Sequence, residues 1–141
     1  MSARDTVSNV GVGWLVETFF IDDSTITYDA AEEGGAASVG LATTLSGNDT
    51  IALVADGQGV LGKLLHVESD GVAAVVTEGV MELPGGDGAT LTRMKKIVGD
   101  LGANSAKGYI REVNTAVAAE LGVARGEIRN TATATAVVVK L

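Results

Sequence analysis

VLGKLLHVESDGVAAVVTEGVMELPGG, Val60 to Gly86, holds two apolar runs broken only by Ser69-Asp70-Gly71 and closed by Pro84-Gly85-Gly86. Leu65 and Val67, then Val72, Ala74 and Val76, alternate with their neighbours at the two-residue period of strands. Ser69-Asp70-Gly71 has the residue types of a three-residue hairpin connection. The stretch therefore predicts a β-hairpin, with a further short strand over Val80 to Leu83.

Outward from the hairpin the same punctuation continues. Leu41 to Leu45, Thr50 to Ala55, Met94 to Val98 and Gly108 to Val113 are strand candidates, set apart by Ser46-Gly47-Asn48-Asp49, Asp56-Gly57 and Gly85-Gly86-Asp87-Gly88. Nineteen glycines against one proline favour many tight turns and bulges over long helices. One short helix is expected over Thr115 to Leu121, with Asn114 as N-cap and Gly122 just past its end. Thr131 to Ala136 alternates Thr with Ala and runs into Val137-Val138-Val139, so one strand is expected over Thr131 to Val139, its outer half half-polar and its inner half buried on both faces. Asp29 to Gly40 reads as a loop with one helical turn at Ala30 to Glu33, and Thr25 to Tyr28 as a short strand. The expected fold is mainly β: a small β-barrel or β-sandwich with one short helix and an extended N-terminal arm.

In the arm, Met1 to Asn9 are polar and without period. Val10, Val12, Trp14, Val16, Thr18 and Phe20 then share one parity as far as the turn at Asp22-Asp23-Ser24, which predicts a strand, or an arm ready to become one. Residues 1–24 are accordingly expected as an N-terminal arm and 25–141 as a single β-rich domain.

A chain of 141 residues is long enough to bury its own core. It has no cysteine, hence no disulfide framework and no thiolate metal site, and synthesis in a cytosol is expected. No signal-like start and no apolar run of bilayer length is present, so no membrane partner is expected. A net charge of -8 opposes nucleic-acid binding. Mean hydropathy is nevertheless +0.30 with few aromatics, so the interior is built from Ala, Val and Leu, and some of that apolar surface is available for contact between subunits.

Few residues carry chemistry. Gly57-Gln-Gly59-Val-Leu-Gly62-Lys63 satisfies G-x-G-x-x-G and the first seven positions of a phosphate-binding loop. Position 64 is Leu where a magnesium-binding hydroxyl belongs, and the residues that follow alternate as a strand where a helix is required. A glycine-rich turn is the expectation. His66 is the only histidine and is expected half-buried on a strand. Asp22-Asp23 and Glu32-Glu33 lack the alternating oxygens of a calcium loop and are expected as solvated turn charge. Catalytic residues, cofactor and metal are all expected to be absent. Trp14, Phe19 and Phe20 hold three of the five aromatic side chains. With Val10 and Val12 they are the candidates for docking on a partner, or alternatively for plugging the open end of the chain's own barrel.

The hairpin, the turn Gly79-Val-Met-Glu-Leu-Pro84 and the ending Ala136-Val-Val-Val-Lys-Leu141 together resemble the small capsid cement (head decoration) proteins of tailed phages, over roughly Ala52 to Leu141. The resemblance implies a β-rich homotrimer on the outer surface of a virion, bridging neighbouring major capsid subunits, with no catalytic residues. Lys107 to Gly126 is longer and more helix-like than the simplest versions of that pattern. The alternatives are a small nucleotide-binding enzyme using Gly57 to Lys63, or another phage structural component of the tail or head fibre.

Overall fold

A computed structural model describes residues 8–141; the part of the expected arm before Ser8 lies outside the described residues. Strands β1 (Leu15–Ile21), β2 (Ala42–Gly47), β3 (Thr50–Leu53), β4 (Gly62–Val67) and β5 (Val72–Glu78) close into a barrel in the order β1-β3-β2-β4-β5. Against it lie a three-stranded sheet, ordered β6 (Val80–Leu83), β10 (Val137–Lys140), β9 (Glu127–Asn130), and a ribbon of β7 (Ile97–Asp100) with β8 (Tyr109–Glu112). One short helix, α1 (Ala118–Val123), completes the described chain. The protein is mainly β, and of the two expected architectures it is the barrel.

The β4–β5 hairpin forms where the sequence places it. Gly71 N–H donates to Glu68 O (3.1 Å), Glu68 N–H donates to Val72 O (2.8 Å), and Asp70 Oδ1 accepts from Val72 N–H (3.1 Å). Gly71 has φ of 84°, the left-handed residue that ends a three-residue hairpin loop. The strands do not keep a uniform alternation, however. A register shift between Leu64 and His66 puts Leu64 and Val67 inside the barrel and turns Leu65 toward a second core.

Two apolar clusters result. Ile51, Leu64, Val67, Ala73 and Val75 fill the barrel, with Ile26 and Ala36 from the long loop beside them. Val76, Val54 and Val60 join Met81, Leu83, Ile97, Ile110, Ile128, Val137 and Val139 in the other. The wall shared by the two is β4 and β5, buried on both faces, which is why Val72 to Val76 reads as a nearly continuous apolar run. Thr43, wholly buried on the neighbouring strand β2, donates from Oγ1 to Gly62 O of that wall (3.0 Å).

Several boundaries differ from expectation. Leu15–Ile21 is a wall strand of the barrel, paired along its length with β5, and no free arm extends to residue 24. The parity expected to run unbroken from Val10 to Phe20 stops at a turn over Val10 to Gly13, where Gly11 and Gly13 have φ of 92° and 70° and Val12 N–H donates to Asn9 O (3.0 Å). Thr25 to Tyr28 is not a strand: Thr25 Oγ1 instead accepts from Leu53 N–H (3.0 Å) and Ile26 drops into the barrel. The helical turn falls at Glu33–Gly35. Helix α1 starts three residues later than expected and takes Gly122 into its own body, because Asn114 Oδ1 accepts from Ala116 N–H (3.0 Å) in a local turn that delays it. Thr131 to Ala136 is a turn between β9 and β10, and β9 had no sequence signal.

Gly79, between β5 and β6, has φ of 106°, and a Cβ there would come within 2.7 Å of the Gly13 and Val12 backbone. Gly79→Ala is expected to cost on the order of 3 kcal/mol, strain and overlap combined. Thermal or urea unfolding measures it; a variant within 0.5 kcal/mol of the parent, the range of an ordinary surface change, would show that this junction yields.

Candidate interaction surface

Along β1 the side chains divide as the strand period requires. Phe19 and Ile21 pack into the barrel, while Val16, Thr18 and Phe20 face outward. Phe20 is 60% exposed and Val16 45%; Leu15, at the start of the strand, is 43% exposed. In the preceding turn Val12 is 59% exposed, and Val10 lines a groove of about 510 Å³ against the outer face of β6, β9 and β10. Five large apolar side chains thus stand in solvent within eleven residues of chain, an apolar run of the kind that marks contact surfaces.

Of the five residues proposed from sequence, the structure leaves Val10, Val12 and Phe20 outside. Trp14 and Phe19 are taken up by the fold: the Trp14 indole packs on the second core and its Nε1 donates to Val80 O (2.6 Å), and Phe19 packs on the barrel core. Leu15 and Val16, exposed beside them, were not among the candidates. Only the strand boundary and the pairing of β1 with β5, neither visible in sequence, separate an outward Val16 from an inward Phe19.

The surroundings of this surface are acidic. From Ser8 to Gly62 there are eight Asp and Glu and not one Lys, Arg or His. Glu17, Glu78 and Asp49 border β1 directly: Glu17 lies on it, Glu78 pairs with Leu15, and Asp49 O accepts from Phe20 N–H (2.8 Å). Asp22 follows at the turn, where Ser24 donates to its Oδ1 from both N–H (3.0 Å) and Oγ (2.7 Å) and holds its carboxyl below the usual value.

Two arginines work elsewhere, holding the fold together. Arg111 on β8 binds Glu120 on α1 through two hydrogen bonds (2.7 and 2.9 Å) and reaches Asp56 on the glycine-rich loop (3.1 Å). Glu120 Oε1 also accepts from Asn114 N–H (3.0 Å). Arg125 donates to Leu61 O (2.9 Å) and Thr77 O (3.0 Å), tying the second sheet to the barrel. Nothing in the sequence pattern linked Arg111, Glu120 and Asp56, because the partners sit on a strand, a helix and a loop with no shared period. Beside them burial pushes the Asp100 carboxyl up.

The other sequence candidates fall in ordinary places. In the Gly57 to Lys63 segment the Gly57 amide donates to Gly99 O and the Leu61 amide to Thr43 O, and the chain continues as β4 where a phosphate loop needs a helix. Gly62 is explained by packing, since a Cβ there would overlap the Val76 carbonyl. His66 is on β4 but half-exposed, its Nε2 3.5 Å from Glu68 Oε1. Among the described residues no cluster of three His, Asp or Glu is placed to hold a metal ion, and no helix is long and apolar enough to cross a membrane.

No protein-family model matches the chain, and no curated protein or solved structure matches it.

The Arg111 guanidinium, with the Asn114 amide, holds the Glu120 carboxyl down to about 2 from an ordinary 4.5. Because the folded value lies below the unfolded one, this stabilisation is complete above about pH 4.5 and is lost as the pH falls toward 2. Glu120→Gln is expected to lower stability at pH 7 by about 2 kcal/mol and to flatten the decline between pH 5 and 2. Urea melts across that range check it; a variant with the parent's acid limb would remove Glu120 as its source.

Proposed function

We propose that this chain is a capsid decoration, or cement, protein: a homotrimer that binds the outer surface of a phage head and stabilises the shell by bridging major capsid subunits, catalysing no reaction. The observation that carries this reading is the exposed apolar run of Val10, Val12, Leu15, Val16 and Phe20 on a small, mainly β domain. The reading also rests on the resemblance noted in the sequence. Two of its segments, Gly79 to Pro84 and Ala136 to Leu141, meet as antiparallel strands, with Val137 opposite Leu83 and Val139 opposite Met81.

Such a protein works by geometry. Each docking contact is small, and a trimer engages several shell subunits together, so the second and third contacts form at high effective concentration. The acidic surface around β1 steers the protein toward basic or polar ground on the shell, and the apolar side chains then exclude water from the contact.

Purified protein mixed with empty heads should sediment with them, and light scattering should report a trimer either free or on the shell. Val12→Ser with Phe20→Ser, both at exposed positions, should leave the unfolding midpoint nearly unchanged and weaken head binding at least about tenfold. Failure of the parent to bind heads, or a strictly monomeric species both free and bound, would overturn the proposal.

A further inference from the structure

Strand β1 has one finished edge and one open edge. Ile21 N–H donates to Gly71 O (3.1 Å) on the β5 side, whereas Phe20 N–H donates to Asp49 O and Asp22 N–H to Ile51 O (both 2.8 Å) on the opposite side. Continued along the strand, that alternation aims the backbone groups of Glu17 and Phe19 at β5 and those of Val16 and Thr18 away from it. The strand on that other side, β3, begins only at Thr50, opposite Phe20. Among the described residues, no strand therefore meets the N–H and C=O of Val16 and Thr18.

An unpaired strand edge is a template for another strand. Proteins blunt such edges with lysine, proline or a bulge; here the register shifts between Leu15 and Val16 at the start of the edge, but no lysine or proline lies along it, and its side chains Leu15, Val16 and Phe20 are all exposed, with a shallow notch between Phe20 and Asp49 at the other end. Charge selects the partner. Glu17 lies within this stretch of β1 and Asp49 at the end of its open side, and no basic residue occurs from Ser8 to Gly62. A second copy pairing antiparallel about Glu17 would set two Glu17 carboxylates side by side, which like charges disfavour.

We propose that the Val16–Thr18 edge of β1 accepts an extended protein segment carrying Lys or Arg between apolar residues, which adds a strand to the barrel wall. Main-chain hydrogen bonds from Val16 and Thr18 give the affinity, Val16 and Phe20 contact the apolar side chains of the added strand, and the acidic rim receives its cations. The identity of the donor rests on the decoration reading, which makes it a segment of the major capsid subunit; the edge itself does not depend on that reading.

Backbone amide exchange, followed residue by residue by NMR on the full chain, tests it. In the free protein Val16 and Thr18 should exchange fast and Glu17 and Phe19 slowly. An acetylated Lys-Val-Thr-Val-Lys-Thr amide, at millimolar concentration, should slow exchange at Val16 and Thr18 by about tenfold or more, and the same peptide with Glu in place of Lys should not. Thr18→Pro removes one outward N–H, and Val16→Lys sets a cation on the edge; each should abolish the protection, and the second guards against a failure of the first to fold. No protection by the Lys peptide, or equal protection by both peptides, would overturn the proposal. Head binding separates the two claims. Heads decorated equally well by the parent and by Val16→Lys would remove the capsid subunit as the donor and leave the decoration reading standing. Lys-peptide protection without any head binding would support the edge and remove the shell as its partner.

Discussion

Three distant parts of the chain are fastened at Gly79 and Val80. Gly79 and Leu141 exchange N–H to O bonds in both directions (3.2 and 2.9 Å), Val80 N–H donates to Val12 O (2.9 Å), and Val80 O accepts from both Gly11 N–H (2.9 Å) and Trp14 Nε1 (2.6 Å). The junction is tight enough to admit no side chain at position 79, and φ of 106° suits only glycine. Here the barrel's last strand hands over to the second sheet, the C-terminal residue is bound on one side and the N-terminal turn on the other. The placement of β1 follows from it, because the Trp14 indole is held by the same carbonyl and fixes where the strand begins.

With so few aromatics, neither core relies on large side chains. The fold instead buries a common wall twice: Leu64, Ala73 and Val75 of β4 and β5 face the barrel, and Leu65 and Val76 face the second cluster. Small aliphatic residues allow this close approach, as at Gly62 beneath the Val76 carbonyl. Burial of apolar area is thereby obtained from both faces of one ribbon, and the arginine clamps from Arg111 and Arg125 fix the outer elements over it.

That double burial decided what could be read in advance. The hairpin turn, β6 and the core strand at Val137 to Val139 were legible because turn chemistry and apolar runs act locally. The face of each residue was not, since the bulge at Leu65 and the turn at Val10 to Gly13 each break the period that parity depends on. Strand β9 was invisible because only Ile128 of Glu127-Ile-Arg-Asn130 is buried, and its pairing comes from β10. The five docking candidates divide: Val10, Val12 and Phe20 stand outside, whereas Trp14 and Phe19 are partly buried against the protein's own cores, the alternative to docking for aromatic residues near a barrel mouth.

Charge is sorted along the chain in the same way as structure. Arg111, Arg125 and Arg129 all lie in the second half and are engaged with carboxylates or carbonyls of the fold, while the stretch from Ser8 to Gly62 that holds β1 carries eight acidic residues and no basic one. The barrel wall at β1 therefore joins two properties seldom left together on a free surface, an apolar stripe and an unbalanced negative field. The field acts over roughly a Debye length, about 8 Å at physiological salt, and governs encounter; the stripe and the open backbone edge act only on contact and govern release. On the proposed reading a partner satisfying one alone would be held poorly, and the specificity of the surface would lie in requiring cationic, apolar and extended character in the same segment.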